Sequence, residues 1–443
     1  MTMLRSVTTA DITADSVHET IARHMLADGF ELVLDLSASQ GCELVDARDG
    51  TRYLDLFTFF ASSALGMNHP ALTEDADFLL ELANVAVNKP SNSDIYTVPM
   101  ARFVETFARV LGDPALPHLF FVDGGGLAVE NALKVAFDWK SRWNEAHGLD
   151  PVLGTKVLHL ENAFHGRTGY TMSLTNTDPN KVARFPKFTW PRIPAPSING
   201  TADVAAAEKA ALAAARNAFE ENPADIASFI IEPIQGEGGD NHFRPEFLQG
   251  MQALCCEFDA LFIVDEVQTG VGLTGTAWAY QQLGVTPDVV AFGKKAQVCG
   301  IMAGGRVDEV PQNVFAVSSR INSTWGGNLT DMVRARRIFE VIEADGLMER
   351  AGSLGAHLVD GLQALAAKHD VVSDVRGRGL MCAFTLPTAE LRNTVITRLR
   401  EDERVLVLGC GTSSLRFRPA LIVSADELDR AMAAIDRVLS ALA

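Results

Sequence analysis

Asp265 closes the apolar run LFIVD at 261–265, and Lys294 and Lys295 follow the run VVAFG at 289–293. An acid at the end of a buried strand is costly unless it has a partner. Its ordinary role is a helix cap or a structural ion pair. Its chemical role is an anion that keeps a pyridine nitrogen protonated, so that the ring withdraws electrons. A single lysine is normally a solvated surface charge. Two that emerge from an apolar strand sit where a dry, cationic pocket lowers an amine's pKa, and a neutral amine condenses with an aldehyde. On spacing alone, either lysine fits.

Two glycine-containing turns add to this set. Asp123-Gly124-Gly125-Gly126 lies between the strand-like HLFFV and a helical stretch. Glycines permit close backbone approach, and N–H groups at a helix N-terminus suit a phosphate. A plain tight turn explains the run equally well. A dinucleotide site explains it less well, because GxGxxG is incomplete and the unit is not N-terminal. Phe164-His165-Gly166-Arg167 follows KVLHLENA. An aromatic there could stack on a flat cofactor, although a core Phe and a surface Arg are the more ordinary assignment.

These residues need elements to hold them. The segments 118–125, 156–164, 227–236, 260–270 and 288–295 read as short strands. Continuous apolar runs bounded by turn residues predict parallel strands buried on both faces. Residues 127–147 carry apolar positions at helical spacing, and the Ala-rich stretch 202–218 is strong helix former. Strands alternating with helices predict a doubly wound α/β domain with its site at the carboxyl ends of the strands. The segment 190–201, WPRIPAPSINGT, reads as a loop. Beyond about 330, long helices precede short strands near 379–386, 405–410 and 415–421, a smaller α+β domain. The expected division is 1–70 as an N-terminal segment packing with the small domain, 71–330 as the large domain and 331–443 as the small one. Residues 1–26 read as a short tail and then a helix, without a secretory signal.

Composition narrows the partners. A net charge of −18 over 443 residues argues against nucleic acid and anionic membranes, which basic surfaces bind. No apolar run approaches the roughly 20 residues of a membrane span. Six cysteines without CxxC spacing predict free thiols in a reducing cytoplasm. The ten histidines show no metal-binding spacing.

Taken together, the motifs resemble the class III, or ω-amino acid, aminotransferases, over nearly the whole chain. DGGGLAVENALK (123–134) is similar to the family's phosphate turn and helix, and AFHGRTGY (163–170) to its ring-stacking segment. EPIQGEGG (232–239) and VDEVQTG (264–270) are close matches. STWGGN (323–328) resembles the segment that a second subunit lends to the phosphate, and LRFRPAL (415–421) the arginine-bearing strand of the small domain. The runs FASSALGMNHP, NKPSNSD, AFGKKAQVCG and INSTWGGNLTDMVRARR are most like the lysine-acting subgroup. The sequence departs from the wider family at 294–300, where a Gly-rich run and a proline are usual, and at Gly126, where an alanine or hydroxyl residue is usual.

The resemblance implies a fold type I transferase with a mainly parallel sheet in the large domain, binding pyridoxal 5′-phosphate (PLP). Position by position, it implies that Lys294 carries the cofactor and shuttles the proton. Asp265 pairs with the ring nitrogen, Gln268 with the ring hydroxyl, and Phe164 stacks on the ring. Gly125 and Gly126 offer N–H groups to the phosphate, with Thr324 supplied by the neighbouring subunit of a homodimer. Arg167 takes the substrate's distal carboxylate. Glu237 masks Arg416 for one substrate and releases it for the other. The implied substrates are L-lysine and 2-oxoglutarate. Ornithine or 4-aminobutyrate as donor, a PLP isomerase or decarboxylase, and a nucleotide-binding protein without PLP are the alternatives.

Overall fold

The computed structural model describes residues 12–442; the part of the predicted tail at 1–11 lies outside the described residues. Near the N-terminus, β1 (Glu43–Val45) and β2 (Arg52–Asp55) form an antiparallel pair. The central sheet comprises β3 (His118–Val122), β4 (Lys156–Leu160), β5 (Arg192–Ile193) and β6 (Ile226–Ile231). A small hairpin, β7 (Ile234–Gln235) and β8 (Asn241–His242), stands beside it. The central sheet is completed by β9 (Leu261–Asp265), β10 (Val289–Phe292) and β11 (Cys299–Ala303). Its seven strands run in the order β3-β11-β10-β9-β6-β4-β5. Neighbours from β10 to β5 are parallel, and β11 is antiparallel to both β10 and β3.

Alternation along the central strands explains why helices cover both faces. Phe229, Ile231, Phe262, Val264, Val290 and Phe292 enter one core with Phe247, Leu248 and Met251 of helix Pro245–Glu257. Ala227, Ile230, Leu261, Ile263, Val289 and Ala291 enter a second core with Val129, Leu133 and Ala136 of helix Gly125–Ala146. Successive side chains on a strand point to opposite faces, so a run apolar at every position is buried from both sides.

The C-terminal part forms a four-stranded antiparallel sheet, β12 (Ser373–Arg378), β13 (Met381–Thr385), β15 (Leu408–Cys410) and β16 (Ser414–Phe417), in the order β12-β13-β16-β15. The short β14 (Val405–Leu406) instead pairs in parallel with β2. The N-terminal strands therefore share a sheet with C-terminal chain.

Several predicted elements shorten or divide. The run 227–236 divides at Pro233, which has no N–H for a ladder: β6 ends at Ile231, and β7 at 234–235 joins the small hairpin instead. The predicted strand at 156–164 ends at Leu160, which frees Phe164 for a turn. The long helices predicted after 330 do form, as Leu329–Ala344 and Leu347–Lys368, separated at Gly346 with φ 58. The predicted loop at 190–201 contains β5, an edge strand flanked by Pro191 and Pro194, where proline is tolerated.

Candidate active site

The carboxyl ends of the parallel strands meet at a cavity of about 270 Å³. Gly125, Gly126, Phe164, Asp265, Gln268 and Lys294 all line it. They arrive from four strand ends or the turns just beyond them, those of β3, β4, β9 and β10. Asp265 is the last residue of β9 and is level with Ala291 of β10. Lys294 follows β10 after one glycine and has φ 50, a left-handed conformation uncommon outside glycine. Gly125 and Gly126 open helix Gly125–Ala146, and the preceding Gly124 has φ 109.

The two lysines lie in different surroundings. Burial, with Arg416 nearby, brings the Lys294 amine down to about 8. Lys295 does not line the cavity. It is 2% exposed and donates from Nζ to the carbonyl of Ala61 at 2.9 Å.

Asp265 is held from two sides. Its Oδ2 lies 2.8 Å from Nδ1 of the buried His165, and its Oδ1 accepts from the Val267 N–H at 3.1 Å. His165 also lines the cavity, and its Nε2 has no partner among the described residues. Glu232, which also lines the cavity, accepts from the backbone N–H of Phe164 at 2.8 Å and of Gly236 at 3.3 Å. Full burial raises its carboxyl to about 7. This carboxyl therefore supports the Phe164 turn.

Glu237 and Arg416 do not line the cavity, yet they meet: Arg416 Nη2 lies 2.8 Å from Glu237 Oε2. Lys181 holds the other oxygen, Oε1, at 2.5 Å. Burial works against the Glu237 charge, but Arg416 and Lys181 outweigh it and hold the carboxyl down at about 2. Arg416 is buried, and its Nε and Nη1 have no acceptor among the described residues. Arg167 is exposed, with its guanidinium 5.9 Å from the Phe164 ring centroid, near the cavity but not lining it. Thr324 is exposed on a loop away from the cavity lining. Asn92 and Ser93 pin that loop through hydrogen bonds to Gly327 and Ser323 carbonyls at 2.9 and 2.6 Å.

Sequence reasoning assigned no separate role to His165, Glu232, Lys181, Arg418 or Asp240. His165 carried one usable signal, its place between Phe164 and Gly166 after a strand. Glu232 and Arg418 lie within the quoted motifs EPIQGEGG and LRFRPAL, whereas Lys181 and Asp240 carry no local signal.

Comparison with known proteins gives a consistent picture. The sequence model of the family "Aminotransferase class-III" matches residues 26–439. The chain is 66% identical over 431 residues to the L-lysine-epsilon aminotransferase of Mycobacterium tuberculosis, covering 96% of each. It is 59% identical over 438 residues to that of Streptomyces clavuligerus, covering 97% of this chain and 95% of the relative. A structure of lysine aminotransferase from M. tuberculosis in the internal aldimine form superimposes with a TM-score of 0.96 at 65% identity, over 98% of this chain and 100% of the other.

Proposed function

The chain belongs to the class-III aminotransferases, and on that premise we propose that it moves the ε-amino group of L-lysine to 2-oxoglutarate. The products are 2-aminoadipate 6-semialdehyde, which cyclises with loss of water to piperideine-6-carboxylate, and L-glutamate. The observation that carries this reading is the convergence on one cavity of an amine, a buried carboxylate, an aromatic face and a helix N-terminus. The likeness to lysine-acting enzymes supports the donor.

PLP is the cofactor of this family, and the residues fit it. A Cβ at Gly125 would come within 3.0 Å of Val267, and one at Gly126 within 3.2 Å of Thr168. Glycine at both positions leaves room for a phosphate against the helix N-terminus. Asp265, oriented by His165, is an anion for the ring nitrogen, and Phe164 offers a face for stacking. When bound, PLP supplies an aldehyde that captures amines and a ring that withdraws electrons.

The protein's own groups then divide the work. Nζ of Lys294 takes a proton from Cε of the donor lysine and, in the return half, delivers one to Cα of the acceptor. An amine brought down to about 8 exchanges protons readily near neutral pH. Arg167 grips the α-carboxylate of lysine, remote from the reacting end. Lysine reacts where it has no carboxylate, and Glu237 on Arg416 neutralises the cation there. 2-Oxoglutarate brings its own carboxylate and takes the place of Glu237.

The working unit is a homodimer in which the partner's copy of the 323–328 loop completes the phosphate site. Supporting this, Ile95, Tyr96 and Val98 are 68%, 77% and 64% exposed beside that loop, and Trp325 is 45% exposed. Apolar patches of this kind mark interfaces. Residues 71–330 form the large domain, with 12–70 and 331–442 making the smaller part. The deciding experiment is a panel of amino donors with 2-oxoglutarate, following glutamate and identifying the aldehyde product by mass. Lysine should have the highest kcat/KM; a higher value for ornithine or 4-aminobutyrate overturns the assignment.

A further inference from the structure

Gln268 lines the cavity, and its Oε1 accepts two hydrogen bonds from Arg418, from Nε at 3.0 Å and from Nη2 at 2.9 Å. A guanidinium has only donors. Turning the amide round would set its N–H groups against a cation. The carbonyl must therefore face Arg418, and the NH2 is left for the cavity.

Arg418 is not free to turn away. Asp240 takes its other edge, with Nη1 to Oδ2 at 2.9 Å and Nη2 to Oδ1 at 2.5 Å. The two side chains are 1% and 0% exposed. Room for the amide is kept by Gly236, where a Cβ would lie 2.7 Å from Gln268 Cδ and 2.9 Å from its Nε2.

We infer that Arg418 is a positioning residue that fixes the Gln268 amide as an N–H donor toward the cavity, so that the site selects an anionic oxygen on the cofactor ring. The inference rests on the PLP reading above, in which Gln268 meets the ring hydroxyl. A donor to that oxygen stabilises its anion, and so favours the deprotonated form of the bound chromophore. Asp240 aims Arg418, Arg418 aims Gln268, and Gly236 leaves the amide its space. If Arg418 and Asp240 were only a buried pair tying β16 to the loop before β8, loosening Arg418 would cost stability and leave the cofactor's colour unchanged.

The test uses holoenzyme of Arg418→Lys, Gly236→Ala and Gln268→Leu. Absorbance of the bound cofactor is titrated against pH, and PLP release is measured by dialysis. All three variants should move the spectral midpoint to higher pH, by about one to two units, which is the worth of a hydrogen bond to a charged group. The PLP dissociation constant should rise about tenfold. Gly236→Ala combined with Gln268→Leu should move the midpoint no further than either alone, since both remove the same donor. Gly236→Ala displaces only the end of a flexible side chain, so it reports even where Arg418→Lys fails to fold.

An Arg418→Lys holoenzyme with wild-type midpoint and dissociation constant, beside a shifted Gln268→Leu, overturns the inference and leaves the cofactor reading standing. If Arg418→Lys does not fold, a wild-type midpoint in Gly236→Ala overturns it. An unshifted Gln268→Leu does the same. A wild-type protein that binds no PLP chromophore defeats the underlying cofactor reading instead.

Discussion

At the scale of single residues, adjacent lysines have taken different tasks. Lys294 faces the cavity with an amine lowered by burial and by Arg416, whereas Lys295 donates from its buried amine to the Ala61 carbonyl. Lys294→Ala should abolish turnover while leaving the thermal midpoint unchanged. Lys295→Ala should keep substantial activity but lose about 2 kcal/mol of stability, through an unpaired carbonyl and a cavity. Borohydride reduction followed by peptide mapping checks the assignment, and a label on Lys295 would reverse it. Arg167 is exposed near the Phe164 ring. Arg167→Met should raise KM for lysine at least about tenfold, the worth of a charge-assisted hydrogen bond. The same change should favour amines that lack a carboxylate. An unchanged KM for lysine would make Arg167 a plain surface charge.

At the scale of elements, Glu237 ties the loop between β7 and β8 to β16 through Arg416 and to helix Pro179–Val182 through Lys181. Its carboxyl is held at about 2, below the ordinary 4.5. The folded state thus binds fewer protons than the unfolded chain in that window. The stabilisation is complete above about 4.5 and is lost as pH falls toward about 2. Glu237→Gln should flatten the acid side of a plot of thermal midpoint against pH. Glu237→Ala should slow the lysine half-reaction and spare or speed the glutamate half-reaction in single turnovers. Equal slowing of both halves would remove Glu237 from the substrate switch. A second element needs outside support to exist. Thr58, Phe59, Phe60 and Ala61 all have positive φ, from 43 to 68, which L-residues resist. Asp55 accepts from the N–H groups of Phe57 and Thr58, Lys295 reaches Ala61, and Gln297 donates to the Ser62 carbonyl. Loss of Lys295 should therefore speed amide exchange at 57–62 before it affects the central sheet.

At the scale of the whole molecule, one chain supplies most of a site and leaves Thr324 exposed away from the cavity. A second copy supplies the missing contact in the proposed dimer. Thr324→Ala should raise the PLP dissociation constant about tenfold, the loss of one hydrogen bond to a charged group, while native mass measurement still finds a dimer. Unchanged PLP retention would detach that loop from the phosphate.

Much of this was legible in the sequence because it is local. Apolar runs with turn residues at their ends specified the central strands. Their ends specified where Asp265 and Lys294 emerge, and the glycines of 124–126 specified a close turn into a helix. What tertiary structure alone decided are pairs that join distant chain: His165 with Asp265 across 100 residues and Arg418 with Gln268 across 150. A side chain's type states what it can bond, but only the packed layers set which partner lies within 3 Å. The same reason separates Lys294 from Lys295. Their sequence contexts are nearly identical, and the left-handed turn at 294 sends one amine to the cavity and the other to the carbonyl of Ala61.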